Sequence, residues 1–271
     1  MFRALLVILI FASPEVIRFT SKNVTLEGDL MLPDGNAKAP VVVFVHGSGR
    51  TTRDDYSPVV PELLKAGYAV FRYDKRGVGK SGGEYINVGT HNSKQHFPVL
   101  ASDAAAAVDA LRKHPRINPK KVIIMGGSQA GWIIPIVASL TDVQATICIS
   151  GPTVPVGEEM FYSDYAEHGT TSQEDADKLL TNFKGPEGFD NIEYVAKMKK
   201  PALWVYGGKD ISIPVKHCMA RLDSTIKASH IPAEMKIYPN ADHGIYNRET
   251  GNFENYSSVV VSWLQKNVPV N

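Results

Sequence analysis

Cysteine is scarce. The 271 residues hold two, Cys148 and Cys218, too few for a disulfide framework and without the paired spacings that build zinc sites. A free cysteine packs like a small hydrophobe, so both are expected in the core. An excess of one charge is also missing: lysine plus arginine number 29 against 28 acidic residues, a net charge of +1. Without a basic field to attract phosphate backbones or anionic surfaces, no nucleic acid is expected as a partner. There is no H-E-x-x-H run, and His91, His96, His114, His168, His217 and His230 are scattered without ligand spacing, so no metal is expected. Long apolar runs are absent as well. The longest, Ala4 to Ala12 behind Arg3, is too short for a stable membrane span. It suits the core of a signal peptide, yet Ile10 stands where a cleavage site prefers a small side chain. Residues 1–14 therefore read as an apolar terminal segment, and the choice between export to the periplasm or medium and residence in the cytoplasm stays open.

What is present fits a packed core: 44% of residues are hydrophobic and 21% charged. The length suits one α/β domain carrying an insertion. Val16 to Ser21 and Val24 to Leu32 alternate in part, are separated by Lys22-Asn23, and stop at Pro33-Asp34-Gly35, which predicts an antiparallel hairpin at a sheet edge.

From residue 40 the pattern changes to short continuous apolar runs, at 41–45, 69–71, 122–125, 145–149, 202–206 and 235–238. They alternate with helical stretches at 58–65, 102–113, 215–226 and 257–265. Such alternation predicts a mostly parallel sheet with helices on both faces. Between Gly151 and Lys200 the chain is polar, weakly periodic and punctuated by Pro152, Pro155, Gly157, Gly185, Pro186 and Gly188. Residues 15–150 and 201–271 are thus expected to form the core, with 151–200 as a small inserted cap.

The strongest local signal is Val122-Ile123-Ile124-Met125-Gly126-Gly127-Ser128-Gln129-Ala130-Gly131-Trp132, an apolar strand entering a turn of small residues and then an apolar helix. A serine lifted above a sheet by so tight a turn needs small residues two before and two after it, here Gly126 and Ala130. Ala130 departs from G-x-S-x-G by one methyl group, and Pro135 interrupts the following helix. Standing alone, the segment could be an ordinary strand-to-helix turn.

A serine hydroxyl is a weak nucleophile unless an imidazole takes its proton and a carboxylate holds that imidazole in the right tautomer. Asp210, in Tyr206-Gly207-Gly208-Lys209-Asp210, and His243, in Tyr238-Pro239-Asn240-Ala241-Asp242-His243-Gly244, both follow apolar strands and so fall at the carboxyl edge of the sheet. Asp242 competes as the acid, but a carboxylate beside a histidine rarely reaches that histidine's own ring in the required geometry. Val45-His46-Gly47-Ser48-Gly49 follows another strand, and the backbone N–H groups of Ser48 and Gln129 could together receive an oxyanion. His46 is expected to brace this loop by hydrogen bonding. Gly79-Lys80-Ser81 imitates the end of a phosphate-binding loop, but Asp74 stands where that loop needs glycine.

With these motifs in the order serine, aspartate, histidine, the chain resembles the α/β-hydrolase superfamily from about Val16 to Leu264. The run Arg72-Tyr73-Asp74-Lys75-Arg76-Gly77-Val78-Gly79-Lys80-Ser81 looks like the D-x-R-G-x-G-x-S turn of many members, where its role is mainly structural. The resemblance implies a serine hydrolase of the esterase and acyl-peptidase-type branch with a short cap, with Ser128 as nucleophile, His243 as base and Asp210 as acid. It implies two-step acyl transfer on a small acyl ester without a cofactor, with thioesters or peptides as alternatives on the same triad. A member that has lost catalysis and serves as a ligand receptor is the alternative of another class. Phe161, Tyr162 and Tyr165 could shape substrate choice or simply fill the cap core, so no substrate-binding residue is assigned. Acyl chain length, leaving group and oligomeric state are not legible.

Overall fold

The computed structural model describes residues 13–35, 37–55 and 57–270; the apolar run at residues 4–12 lies outside them. The hairpin forms at the sheet edge as expected. β1 (Glu15–Ser21) and β2 (Val24–Met31) pair antiparallel. Lys22 and Asn23 turn the chain with φ of 45° and 65°, the double left-handed geometry that matches the twist of a two-residue hairpin.

Six further strands complete the sheet: β3 (Ala39–Val45), β4 (Ala69–Tyr73), β5 (Ile117–Gly127), β6 (Ala145–Ile149), β7 (Ala202–Gly207) and β8 (Ala233–Tyr238). The order across it is β1-β2-β4-β3-β5-β6-β7-β8, with antiparallel pairing confined to β1/β2 and β2/β4. The sheet is therefore mostly parallel and carries helices on both faces.

Strand side chains alternate between two buried layers. On β3, Val41, Val43 and Val45 point into one layer with Val122 and Ile124 of β5, while Val42, Ile123 and Met125 enter the other. The first layer is closed by α2 (Ser93–Leu111), α3 (Ala130–Leu140) and α7 (Val215–Ser229), and the second by α1 (Val59–Lys65) and α8 (Tyr256–Asn267). Burial on both faces is why these strands read as unbroken apolar runs instead of alternating ones. Cys148 and Cys218 lie in the first layer as free, fully buried thiols.

Helix α2 begins nine residues earlier than its sequence pattern predicts, running through Pro98 in its second turn. Proline reads as a breaker, and Pro98 deprives the Lys94 carbonyl of its donor four residues on, yet the helix continues through it. Between β6 and β7 lie α4 (Val156–Ala166), α5 (Gln173–Leu180) and the single turn α6 (Ile192–Val195). Helix α4 escapes sequence reading because its residues show little apolar periodicity. Tyr162, Ala166, Ala176 and Leu180 give α4 and α5 a small core of their own, with Phe161 and Phe183 against it. Phe161 and Tyr162 thus serve this local core, and Tyr165 is exposed beside Phe161. A short hairpin, β9 (Tyr246–Asn247) with β10 (Asn252–Phe253), follows His243.

Candidate active site

Ser128 directly follows β5 and precedes Gln129, the residue that caps α3, and its φ is +54°. A left-handed conformation at a residue with a Cβ costs of order 1–3 kcal/mol and persists only where the surroundings enforce it. Here the enforcement is visible. The Ser128 N–H donates to the Ile149 carbonyl at 2.9 Å, and its own carbonyl accepts from the Gly131 N–H at 2.8 Å. A Cβ on Gly126 would meet the Val45 carbonyl at 2.4 Å and the Ala130 Cβ at 2.6 Å, and one on Gly131 would meet the Gly151 Cα at 2.5 Å. Ala130 fits without glycine because its methyl group is fully buried against the space that Gly126 leaves.

Pro135 does not break α3. It lacks the N–H that would have bonded the Gly131 carbonyl four residues back, and that carbonyl accepts instead from Asn191 Nδ2 at 2.8 Å. Asn191 is fully buried and also donates to the Pro152 carbonyl at 3.0 Å, so one side chain clamps the helix behind the serine to the segment after β6.

The structure brings Asp210 and His243 together. Asp210 is fully buried; its Oδ2 lies 2.7 Å from His243 Nδ1, and its Oδ1 accepts from the N–H groups of Ser212 at 2.8 Å and Ile213 at 3.2 Å. Asp242 is turned elsewhere. Its Oδ1 accepts from the N–H groups of Gly244 and Tyr246, and its Oδ2 from Arg248 Nε at 2.9 Å. Burial depresses the His243 pKa, but the hydrogen bond and charge of Asp210 outweigh burial and hold it above the ordinary value. Glu159, on α4, is itself pushed up to about 8 by burial.

Ser128 and His243 line one cavity of about 360 Å³, with His46, Gly47 and an apolar wall that includes Phe44, Met125, Ile149 and Tyr256. Among the described residues the imidazole's side-chain bond is the one to Asp210. Hydroxyl-to-imidazole bonds at such sites commonly close only once substrate is bound.

The Gln129 N–H sits at the start of α3 and finds no acceptor among the described residues, at the end of a helix whose dipole favours negative charge. Neither Gln129 nor Ser48, which lies exposed on the rim loop, lines the cavity; their neighbours Ser128 and Gly47 do. His46 does not brace its loop by the expected hydrogen bond. Its ring packs edge-on against Tyr73 at 4.4 Å, and Nε2 is buried without a partner among the described residues. Burial, then the nearby Lys75 charge, pull its pKa down to about 3, which keeps it neutral.

Asp74 braces the turn that follows β4. Asp74 accepts from Arg53 Nη2 at 2.9 Å and from the Lys80 N–H at 2.7 Å, and Arg53 also reaches Glu27 and Asp29. Sequence reading missed two supports of the site. Ser150, at φ +48°, donates its hydroxyl to the His243 carbonyl at 2.8 Å, and Asn191 holds α3. The signal for Asn191 was Pro135, which announces an orphaned carbonyl. Nothing local marks Ser150. Among the described residues no group of His, Cys, Asp or Glu could hold a metal, and no helix is long and apolar enough to cross a membrane.

The family model described as the prolyl oligopeptidase family matches residues 55–269. The chain belongs to that family. It is 27% identical over 253 residues to an uncharacterized peptidase, YuxL, of Bacillus subtilis, covering 86% of this chain and 36% of that protein. The chain spans about a third of the length of the first curated relatives it matches. Among solved structures, an esterase of Pyrococcus furiosus superposes with a TM-score of 0.71 at 21% identity, covering 94% of this chain and 91% of the esterase. An acylaminoacyl peptidase of Pyrococcus horikoshii also gives 0.71 at 18% identity, covering 96% of this chain but 43% of that one. At these identities the superpositions establish the α/β-hydrolase fold. The prolyl oligopeptidase family consists of serine hydrolases built on it.

Proposed function

We propose that the chain is a serine hydrolase that cleaves carboxylic esters by two-step acyl transfer. Ser128 attacks the carbonyl carbon, His243 takes the hydroxyl proton and returns it to the leaving alcohol, and Asp210 holds the imidazole in the required tautomer. Water, activated by the same imidazole, then releases the acid. The N–H of Gln129, next to Ser128, and the N–H of Ser48, in the peptide that joins it to the cavity-lining Gly47, receive the negative charge that grows on the carbonyl oxygen. Residues 151–200 act as the cap, tied to the acid loop by Gln173 Nε2, which donates to the Asp210 carbonyl at 2.7 Å.

The observation that carries this reading is the pairing of a strained serine at the end of β5 with a hydrogen-bonded Asp210–His243 couple beside the same cavity. Esters are read first, by likeness in fold to the Pyrococcus furiosus esterase. Acyl-peptide cleavage is the second reading, supported by relatives named acylamino-acid-releasing enzymes.

The test is labelling with a fluorophosphonate, with the adduct mapped by mass spectrometry, followed by a panel of aryl esters, thioesters and acyl-peptide anilides. Adduct at Ser128 and turnover of esters above the other classes are expected. Absence of label on folded protein would leave the receptor alternative standing.

A further inference from the structure

Lys75 sits in the turn after β4, but its side chain runs inward and the residue is 2% exposed. Its ammonium donates to the Gly47 carbonyl at 2.8 Å, the Gly49 carbonyl at 3.2 Å and Gln129 Oε1 at 3.1 Å. An ammonium has three donors, so all are used. All three acceptors are neutral, and among the described residues no carboxylate is a partner. The nearby carboxylates are committed elsewhere: Asp74 to Arg53 and the Lys80 N–H, and Asp103 to Arg76. His46 is neutral, and the Tyr85 ring, 5.8 Å from the ammonium, is shared with Arg50 at 4.8 Å. Lys75 is thus satisfied in hydrogen bonds and uncompensated in charge.

Burying an unpaired cation is costly, and a neutral side chain could tie the same loop. The acceptors explain why a charge is kept there. Gly47 and Gly49 flank Ser48, and Gln129 is the other proposed oxyanion donor. We propose that Lys75 is a positioning residue of the oxyanion site, one ammonium that fixes both donor segments and whose unpaired charge is matched only when the transition-state oxyanion forms. This rests on Ser128 being the nucleophile. Burial pulls the Lys75 pKa down to about 8, which leaves the group charged at neutral pH. A charge oriented in the resting state needs no reorganisation during reaction, which is the condition under which electrostatic stabilisation is most effective.

The experiment compares Lys75→Met, Lys75→Gln and Lys75→Arg with the unchanged chain in ester kinetics, fluorophosphonate labelling and affinity for an aryl trifluoromethyl ketone, which adds to the serine as an oxyanion. Met and Gln are expected to lower kcat by about 10²-fold with KM within about threefold, to weaken the ketone by the same factor, and Arg to recover part of the loss. Lys75→Gln keeps donors without charge. Full turnover in that variant would overturn the proposal, as would a loss confined to KM. If Lys75→Met shows no melting transition, Lys75→Gln decides. Failure to label Ser128 in the unchanged chain would sink the serine reading itself, whereas labelling there with full turnover in the variants would sink the Lys75 proposal alone.

Discussion

Asp210 Oδ2 lies 2.7 Å from His243 Nδ1, while Asp242, next to the histidine in sequence, spends its carboxylate on Arg248 and on the amides of its own loop. One carboxylate orients the imidazole, and the other shapes the loop that presents it. Asp210→Asn is therefore expected to lower kcat on an aryl ester by about 10⁴-fold, by favouring the wrong tautomer. Asp242→Asn keeps an acceptor for the loop amides and should stay within about tenfold of normal, some 1.4 kcal/mol. Steady-state kinetics of the two variants decide between them, and the reverse ranking would move the acid to Asp242.

The strain at Ser128 separates activity from stability. Ser128→Ala should lower kcat by about 10⁴-fold or more, because members of a triad fail as a unit. Ser128→Gly should be equally inactive yet more stable by about 1 kcal/mol, since glycine adopts φ of +54° without steric cost. Urea midpoints measure the difference. A glycine variant less stable than the parent would contradict the account of the turn.

Asn191 is expected to hold α3 through the carbonyl that Pro135 leaves without a donor. Asn191→Ala should cost about 2 kcal/mol, the penalty of buried carbonyls left unpaired. In a Pro135→Ala background the helix regains its own N–H, so the loss should shrink. Equal losses in both backgrounds, read as a double-mutant cycle, would remove the coupling.

The base must be neutral to accept a proton, and the hydrogen bond and charge of Asp210 hold the His243 pKa above the ordinary value. kcat/KM should rise with pH along an acid limb whose midpoint lies above about 6.5. Because the folded state binds this proton more tightly than the unfolded chain, the matching stability is full below about pH 6.5 and fades as pH climbs through the folded value. A pH–rate profile with its acid midpoint below 6.5 would count against the environment described.

Much of this was legible in the chain itself. Continuous apolar runs in β3, β5, β6 and β7 announce strands covered on both faces, and Lys22-Asn23 announces the hairpin. Gly126, Gly127 and Ala130 around Ser128 mark a turn that excludes larger side chains. The early start of α2 and the whole of α4 were not legible. Pro98 masks the first, and the second takes its helical form from packing on α5 and not from an apolar stripe. The expected hydrogen bond at His46 gave way to ring packing on Tyr73, a contact between the loop after β3 and the end of β4 that no local pattern encodes.

The sequence by itself determined the order of chemistry-bearing residues and their placement after strands, because periodicity and small-residue spacing are local properties of the backbone. Only the tertiary structure decided which aspartate meets the imidazole, which donor closes the gap left by Pro135, and that the Lys75 ammonium ends among neutral acceptors. Those choices depend on where distant segments pack, and hydrogen bonds reach only about 3 Å, a distance that chain order cannot specify.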